Sequence, residues 1–396
     1  MKKRKIGVVL GSRANYASIK SVMRELQATE NIDLEVYAGA ATLLDKFGNA
    51  AKLIESEGFE ITARYYMLVE GETPETMALS TGLGIMKLTD IFMNRKPDMV
   101  VTVGDRFETM STTIAAAYLN IHLVHTMGGE VSGTIDESIR HAITKFAHIH
   151  FPANEDARQR IIKLGEREEH VFNVGCPRID EVKKIIDANR SGDKINEGEF
   201  WEKYKGVGSQ NFSVNNDEFL LVMQHPVTTE FNENRTNMRE ILAALNELKK
   251  PTIMLWPNAD AGSDEISKEI RTFREKNKPD GWLHIFKNLP MDVFVRLMDQ
   301  CSVMMGNSSS QLREGAIVGV PAIDIGSRQQ ARLKGENIME VSPDKDEILA
   351  AIKTQLAHGK YDGDPLYGDG FAGEKIAKIL STIDLKTVSV QKQICY

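Results

Sequence analysis

Cysteine is scarce in this 396-residue chain; Cys176, Cys301 and Cys395 lie far apart, and no two form a CxxC pair. That usage excludes a disulfide framework and fits a reducing compartment. Long apolar runs are also missing, so no segment reaches membrane-spanning length. The start, "MKKRKIGVVLGSRANY", moves from a basic cluster straight into a strand, and the cytoplasm is the expected location. Positive charge is in deficit: the formal net charge is −7, which argues against a nucleic-acid binder relying on basic surface. A phosphorylated ligand stays open, because a few arginines and helix N-termini hold one against a negative average. No GxxxxGK[ST], no HExxH and no GxGxxG after a strand occurs, and "GLG" at 82–84 lacks the third glycine. The nine histidines show no convincing metal-ligand spacing; His148 and His150 could share a strand face, but nothing supplies further ligands. A P-loop NTPase, a zinc enzyme and a nicotinamide dehydrogenase all lose ground, and neither metal nor cofactor is expected.

What is present is a rhythm. Short Val- and Ile-rich runs end in Gly or polar residues and are followed by helix-period segments: "KIGVVLG" then "YASIKSVMREL", "DMVVTVGDR" then "ETMSTTIAAAYLN". This alternation predicts βαβ units and parallel sheets buried on both faces. It runs through residues 1–186 and breaks in the polar stretch 187–217, read as a connection with an excursion, partly helical around Phe200–Tyr204. It resumes over 218–370, and residues 371–396 supply a C-terminal helix that could pack back on the first domain. The fold class expected is α/β, two Rossmann-like doubly wound domains with the C-terminal strand ends of both facing a cleft.

The chemical signals follow strands. Arg13 in "GSRANY" and Asp105 with Arg106 in "GDRFE" occupy matching places in the first half. His225 in "QHP" ends the first strand of the second half. In "GNSSSQLREG", Ser308 and Ser309 offer hydroxyls at a helix start, and Glu314, read on the same helix about one and a half turns on, fits a ribose diol. The richest stretch is "MGGEVSGTIDESIRHAITK" (127–145). Thr134 to Glu137 reads as a capping box. Ile135, Ile139, Ala142, Ile143 and Phe146 then form an apolar stripe bordered by Asp136 and Arg140. Those two residues make either a functional pair or an exposed i,i+4 ion pair of small energy. Glu130 follows a Gly-Gly turn, where backbone approaches a ligand closely.

In order along residues 5–380, "GSRANY", "GDRFE", "GGEVSGTIDESIRHAITKFAHIHF", "VFNVGCPRID", "QHP", "WPNADAGS", "GNSSSQLREG" and "PAIDIGSRQ" resemble the hydrolysing UDP-N-acetylglucosamine 2-epimerases of sialic-acid and legionaminic-acid biosynthesis. The resemblance implies a GT-B-type arrangement of the two domains, a nucleotide-sugar substrate and a homodimer or homotetramer, with no metal. Carried over by motif, Asp105, Glu130 and Asp136 are the acid–base candidates, supported by Arg140 and His141. Arg13 and Arg106 meet the diphosphate or sugar, while His225, Asn258, Ser308, Ser309, Glu314 and Arg328 surround the nucleotide. The implied reaction turns UDP-N-acetylglucosamine into N-acetylmannosamine and UDP, by elimination to a glycal and addition of water.

Two departures bear on the sugar. Met127 stands where sialic-acid members carry Glu or His, and Ala40–Ala41 where they carry Gly-His. A less polar subsite suits a deoxygenated sugar, so UDP- or GDP-linked 2,4-diacetamido-2,4,6-trideoxyglucose follows closely behind UDP-N-acetylglucosamine. A non-hydrolysing 2-epimerase, a GT-B glycosyltransferase and a non-catalytic nucleotide-sugar sensor remain as other classes.

Overall fold

Seven residues at the start already show why a parallel sheet forms. In β1 (Arg4–Leu10), Ile6, Val8 and Leu10 are buried in one apolar cluster, while Val9 is buried in a second cluster on the opposite face. A strand covered on both sides needs helical crossovers, and each following run supplies one. In this computed structural model, which describes residues 3–71, 73–131, 135–208, 210–257 and 262–395, the chain forms two compact units. One comprises Met1–Glu181 with Gly368–Tyr396, the other Val182–Tyr367.

The first unit holds β1, β2 (Ile32–Gly39), β3 (Ile61–Tyr65), β4 (Met99–Val103), β5 (His122–Thr126) and β6 (Ile149–Phe151). They are ordered β3-β2-β1-β4-β5-β6, every neighbouring pair parallel. The order reverses between β1 and β4, the place where open α/β sheets bind ligands. There Asn15 ties the two strand-end loops together, accepting from the Gly11 N–H at 3.1 Å and donating to the Val103 carbonyl at 3.1 Å.

The second unit holds β7 (Val207–Gly208), β8 (Leu220–Met223), β9 (Thr252–Leu255), β10 (Leu283–Phe286), β11 (Val303–Gly306), β12 (Ala322–Ile325) and β13 (Ile338–Val341). Their order is β13-β12-β11-β8-β9-β10-β7, parallel except for β7 against β10. Its reversal point lies between β8 and β11, which brings "QHP" beside "GNSSS". Gly306 has φ +125°, and a Cβ there would lie 2.1 Å from the Met223 carbonyl oxygen, so only glycine lets these strand ends approach.

The stretch 187–217, expected as a connection, is corrected by the packing. Residues 187–190 finish the helix Pro177–Arg190, and Ile195, Phe200, Phe212 and Val214 are buried in the second unit's core. Apolar residues too widely spaced to set a period here still make a core layer. The helix Ala372–Thr382 buries Ile376, Ala377 and Leu380 in the first unit's core. Asp180, from the "VGCPRID" motif, accepts from the Ala372 and Gly373 N–H groups at 2.9 and 2.7 Å, satisfying two orphan donors at that helix start.

Beyond it the chain straps the same unit. His122 donates to the Val388 carbonyl at 2.8 Å, and His148 donates to Val390 at 3.1 Å while accepting from the Leu123 N–H at 3.0 Å. Lys392 caps the Thr144 and Lys145 carbonyls at the end of the helix Ile135–Phe146 and pairs with Glu166. His148 and His150 are thereby structural, the latter bonded to Glu166 at 3.2 Å. Among the described residues no cluster of three or more metal-ligating side chains occurs, and no helix is long and apolar enough to cross a membrane.

Candidate functional site

In the first unit the polar residues after β4 and β5 converge on one guanidinium. Arg140, only 5% exposed, donates to the Glu130 carbonyl at 2.7 Å and forms an ion pair with Asp105. A buried guanidinium needs this fork of acceptors, since an unpaired charge there would cost several kcal/mol, roughly. Asp105 and Glu130, from different strand-end loops, are thus fixed to a third element. The pairing also corrects two readings. Arg140 does not spend its charge on Asp136 one turn earlier, and the apolar stripe is rotated: Ile135 is 64% and Phe146 41% exposed, while Arg140, Ile143 and Thr144 face inward. The hydrophobic period lost to a single buried ion pair. Thr134, the predicted cap, lies outside the described residues.

His125 supports the cluster from below. It is wholly buried, donates to the Gly104 carbonyl at 2.9 Å and faces the Thr144 hydroxyl at 3.3 Å, so it links the loop bearing Asp105 to the helix bearing Arg140. Burial pushes its pKa down to about 3, keeping it neutral. Met127 adopts φ +63° and packs against the core. His141 is not brought into the cluster; its Nε2 lies 3.6 Å from Glu137 on its own helix. Asp136, half-buried in the first turn, is close enough with Asp105 for both charges to act on Glu108.

Glu108 is a residue that sequence reasoning passed over, although it is the last letter of "GDRFE". It sits in a pocket of about 740 Å³ within the first unit, built from the loops after β1, β2, β3 and β4 and the helix Pro74–Arg95. Arg13, exposed at the start of its helix, and exposed Arg106 line the same pocket. Much of the wall is apolar: Ala40, Ala41, Leu44, Phe47, Leu68 and Met77. Ala40 holds φ +47°, a strained conformation for alanine of the kind that clusters at functional sites.

The second unit gathers polar groups around Asn307, another residue not singled out beforehand. Asn307 accepts from the His225 N–H at 2.7 Å and donates to the His225 carbonyl at 2.8 Å. Its own carbonyl accepts from Arg328 at 3.2 Å and Gln329 at 2.8 Å. His225, Ser308 and Arg328 therefore share one neighbourhood, and Ser308 caps the helix Ser309–Leu312. The helix expected from Ser308 to Glu314 runs as two short segments, Ser309–Leu312 and Glu314–Val318 with Glu314 buried, joined through Arg313, whose backbone stays in the right-handed helical region. Asn258 lies outside the described residues.

The profile of the family described as UDP-N-acetylglucosamine 2-epimerase matches residues 24–381. UDP-N,N'-diacetylbacillosamine 2-epimerase (hydrolyzing) of Legionella pneumophila is 32% identical over 390 residues, 98% of each chain. GDP/UDP-N,N'-diacetylbacillosamine 2-epimerase (hydrolyzing) of Campylobacter jejuni is 32% identical over 342 residues, 86% of this chain and 85% of the other. Among solved structures, UDP-GlcNAc 2-epimerase of Neisseria meningitidis bound to UDP-GlcNAc superposes with a TM-score of 0.74 at 17% identity, covering 95% of this chain and 99% of that one. At that identity the likeness establishes the fold: two Rossmann-like α/β domains. Profile, relatives and fold agree, and the chain belongs to the UDP-N-acetylglucosamine 2-epimerase family.

Proposed function

We propose that this protein is a hydrolysing 2-epimerase acting on UDP-linked 2,4-diacetamido-2,4,6-trideoxyglucose, the sugar named diacetylbacillosamine in its relatives. One observation carries the choice of sugar: the pocket lined by Arg13, Arg106 and Glu108 is walled by Ala40, Ala41, Leu44, Phe47, Leu68 and Met77. A sugar with a methyl at C6 and a second acetamido methyl buries more apolar surface there than N-acetylglucosamine does, at about 0.8 kcal/mol per buried methylene-sized group. This reverses the order of the two substrates expected from the sequence.

The proposed chemistry couples two bonds. Asp136 removes the C2 proton while the C1–O bond breaks and its electron pair leaves with the diphosphate, giving a C1=C2 glycal. Protonated Glu130 then delivers its proton to the opposite face of C2 as water adds its hydroxyl at C1; the water's other proton and the one held by Asp136 pass to solvent, from which Glu130 is reprotonated. Arg140 holds Asp105 and the Glu130 backbone in register, and Asp105 orients the sugar. Cationic Arg13 and Arg106 stabilise the departing diphosphate, and the residues gathered by Asn307 with Glu314 bind the nucleotide. Positioned proton transfer of this kind supplies about 10²–10⁴-fold.

The test is an NMR time course with the UDP- and GDP-linked diacetamido sugars and with UDP-N-acetylglucosamine. We expect free nucleotide to appear in step with C2-inverted sugar. The UDP-linked diacetamido substrate should have a kcat/KM at least about tenfold above that of UDP-N-acetylglucosamine, the scale of one or two apolar contacts. Inversion without nucleotide release would make the enzyme non-hydrolysing, and a preference for N-acetylglucosamine would overturn the sugar assignment.

A further inference from the structure

The loop after β1 is shaped around the Glu108 side chain. The side chain projects from the first turn of the helix Phe107–Tyr118, and a Cβ on Gly11 would lie 2.2 Å from its Cγ. Glycine at that place leaves the room that a carboxyl group occupies. Once seated, Glu108 is 4% exposed. One oxygen meets Arg106 Nε at 3.3 Å; the other, Oε2, is buried with no hydrogen-bond partner among the described residues. A buried acceptor left unmatched is costly, and sites built to receive a donor discriminate strongly against ligands lacking it.

The surroundings define the donor. Glu108 lines the same pocket as Ala40, Phe47, Leu68 and Met77, so its carboxyl group and the apolar wall border one cavity. An acetamido group matches that pairing, its methyl against the wall and its N–H toward the oxygen. A hydroxyl at the same ring position supplies the donor but leaves the wall uncovered. Arg140 binds Asp105 and the Glu130 carbonyl but not Glu108, which lies within electrostatic reach of Asp105 and Asp136 without sharing their guanidinium.

We infer that Glu108 is a sugar-reading residue, its Oε2 accepting the N–H of the second acetamido group and so setting which nucleotide sugar turns over. Burial pushes its carboxyl above the usual range, opposed by Arg106 and by the residue's own backbone N–H and reinforced by Asp136 and Asp105. The inference rests on the 2-epimerase reading above.

The experiment compares wild type, Glu108→Met and Glu108→Gln on UDP-linked diacetamido sugar and UDP-N-acetylglucosamine, with melting curves and UDP affinity measured alongside. Glu108→Met is expected to lower kcat/KM about 100-fold for the diacetamido substrate and about tenfold or less for N-acetylglucosamine, a change in UDP affinity through Arg106 acting on both alike. Glu108→Gln, which keeps the packing should the methionine variant fail to fold, is expected to shift the preference in the same direction by about threefold or more. An unchanged preference ratio in a folded variant, whether both rates hold or both fall equally, overturns the role of Glu108. Wild-type protein that turns over neither sugar overturns the 2-epimerase reading instead, and the inference with it.

Discussion

Asp136→Asn is expected to lower turnover at least about a hundredfold, the low end of general acid–base catalysis, while leaving the fold intact. Asp136 is half-buried in the first turn of Ile135–Phe146, and that helix is fixed at both ends of its inner face. Arg140 anchors it to Asp105 and the Glu130 carbonyl, and Lys392 caps its last carbonyls. A carboxylate so placed is held at one position relative to the pocket. Asparagine keeps the size and hydrogen-bonding reach but cannot take a proton from C2. The melting curve should therefore move by under about 1 kcal/mol, and UDP affinity should hold. Near-normal turnover would remove Asp136 from the reaction and return it to the helix surface.

Arg140→Met should damage both stability and rate. It leaves Asp105 without its guanidinium and the buried Glu130 carbonyl without its donor. We expect about 3 kcal/mol of destabilisation, the low end for breaking a buried pair, because the Asp105 side chain keeps 25% of its surface in solvent. Turnover of the remaining folded enzyme should fall by at least about a hundredfold as the acid–base groups lose their register. Arg140→Lys should recover part of the stability and little of the rate, because an ammonium cannot bridge two acceptors in a fixed fork. Denaturant unfolding beside steady-state rates separates the two effects. A methionine variant with native stability and native kcat would show that Arg140 organises nothing.

The strand-end motifs were legible because Val- and Ile-rich runs closing in glycine mark where a buried parallel strand meets its loop. "GSRANY", "GDRFE", "QHP" and "GNSSS" all fall at the reversal points of their sheets. What escaped was decided by single long-range pairings. The inner face of Ile135–Phe146 follows the partners of Arg140, which lie 35 and 10 residues away in sequence. Glu108 stood in a quoted motif, but its meaning depends on Gly11, a neighbour only after β1 and β4 pair. Phe200 and Phe212 reach a core without a period to announce it.

The central claim is that C2 loses its proton and C1 its nucleotide in one elimination. Turnover of the UDP-linked diacetamido sugar in D2O, followed by proton NMR and mass spectrometry, tests it most directly. The expected product is a released, C2-inverted sugar carrying one deuterium at C2, formed in equal amount with free UDP. A released sugar with C2 fully protiated would contradict it.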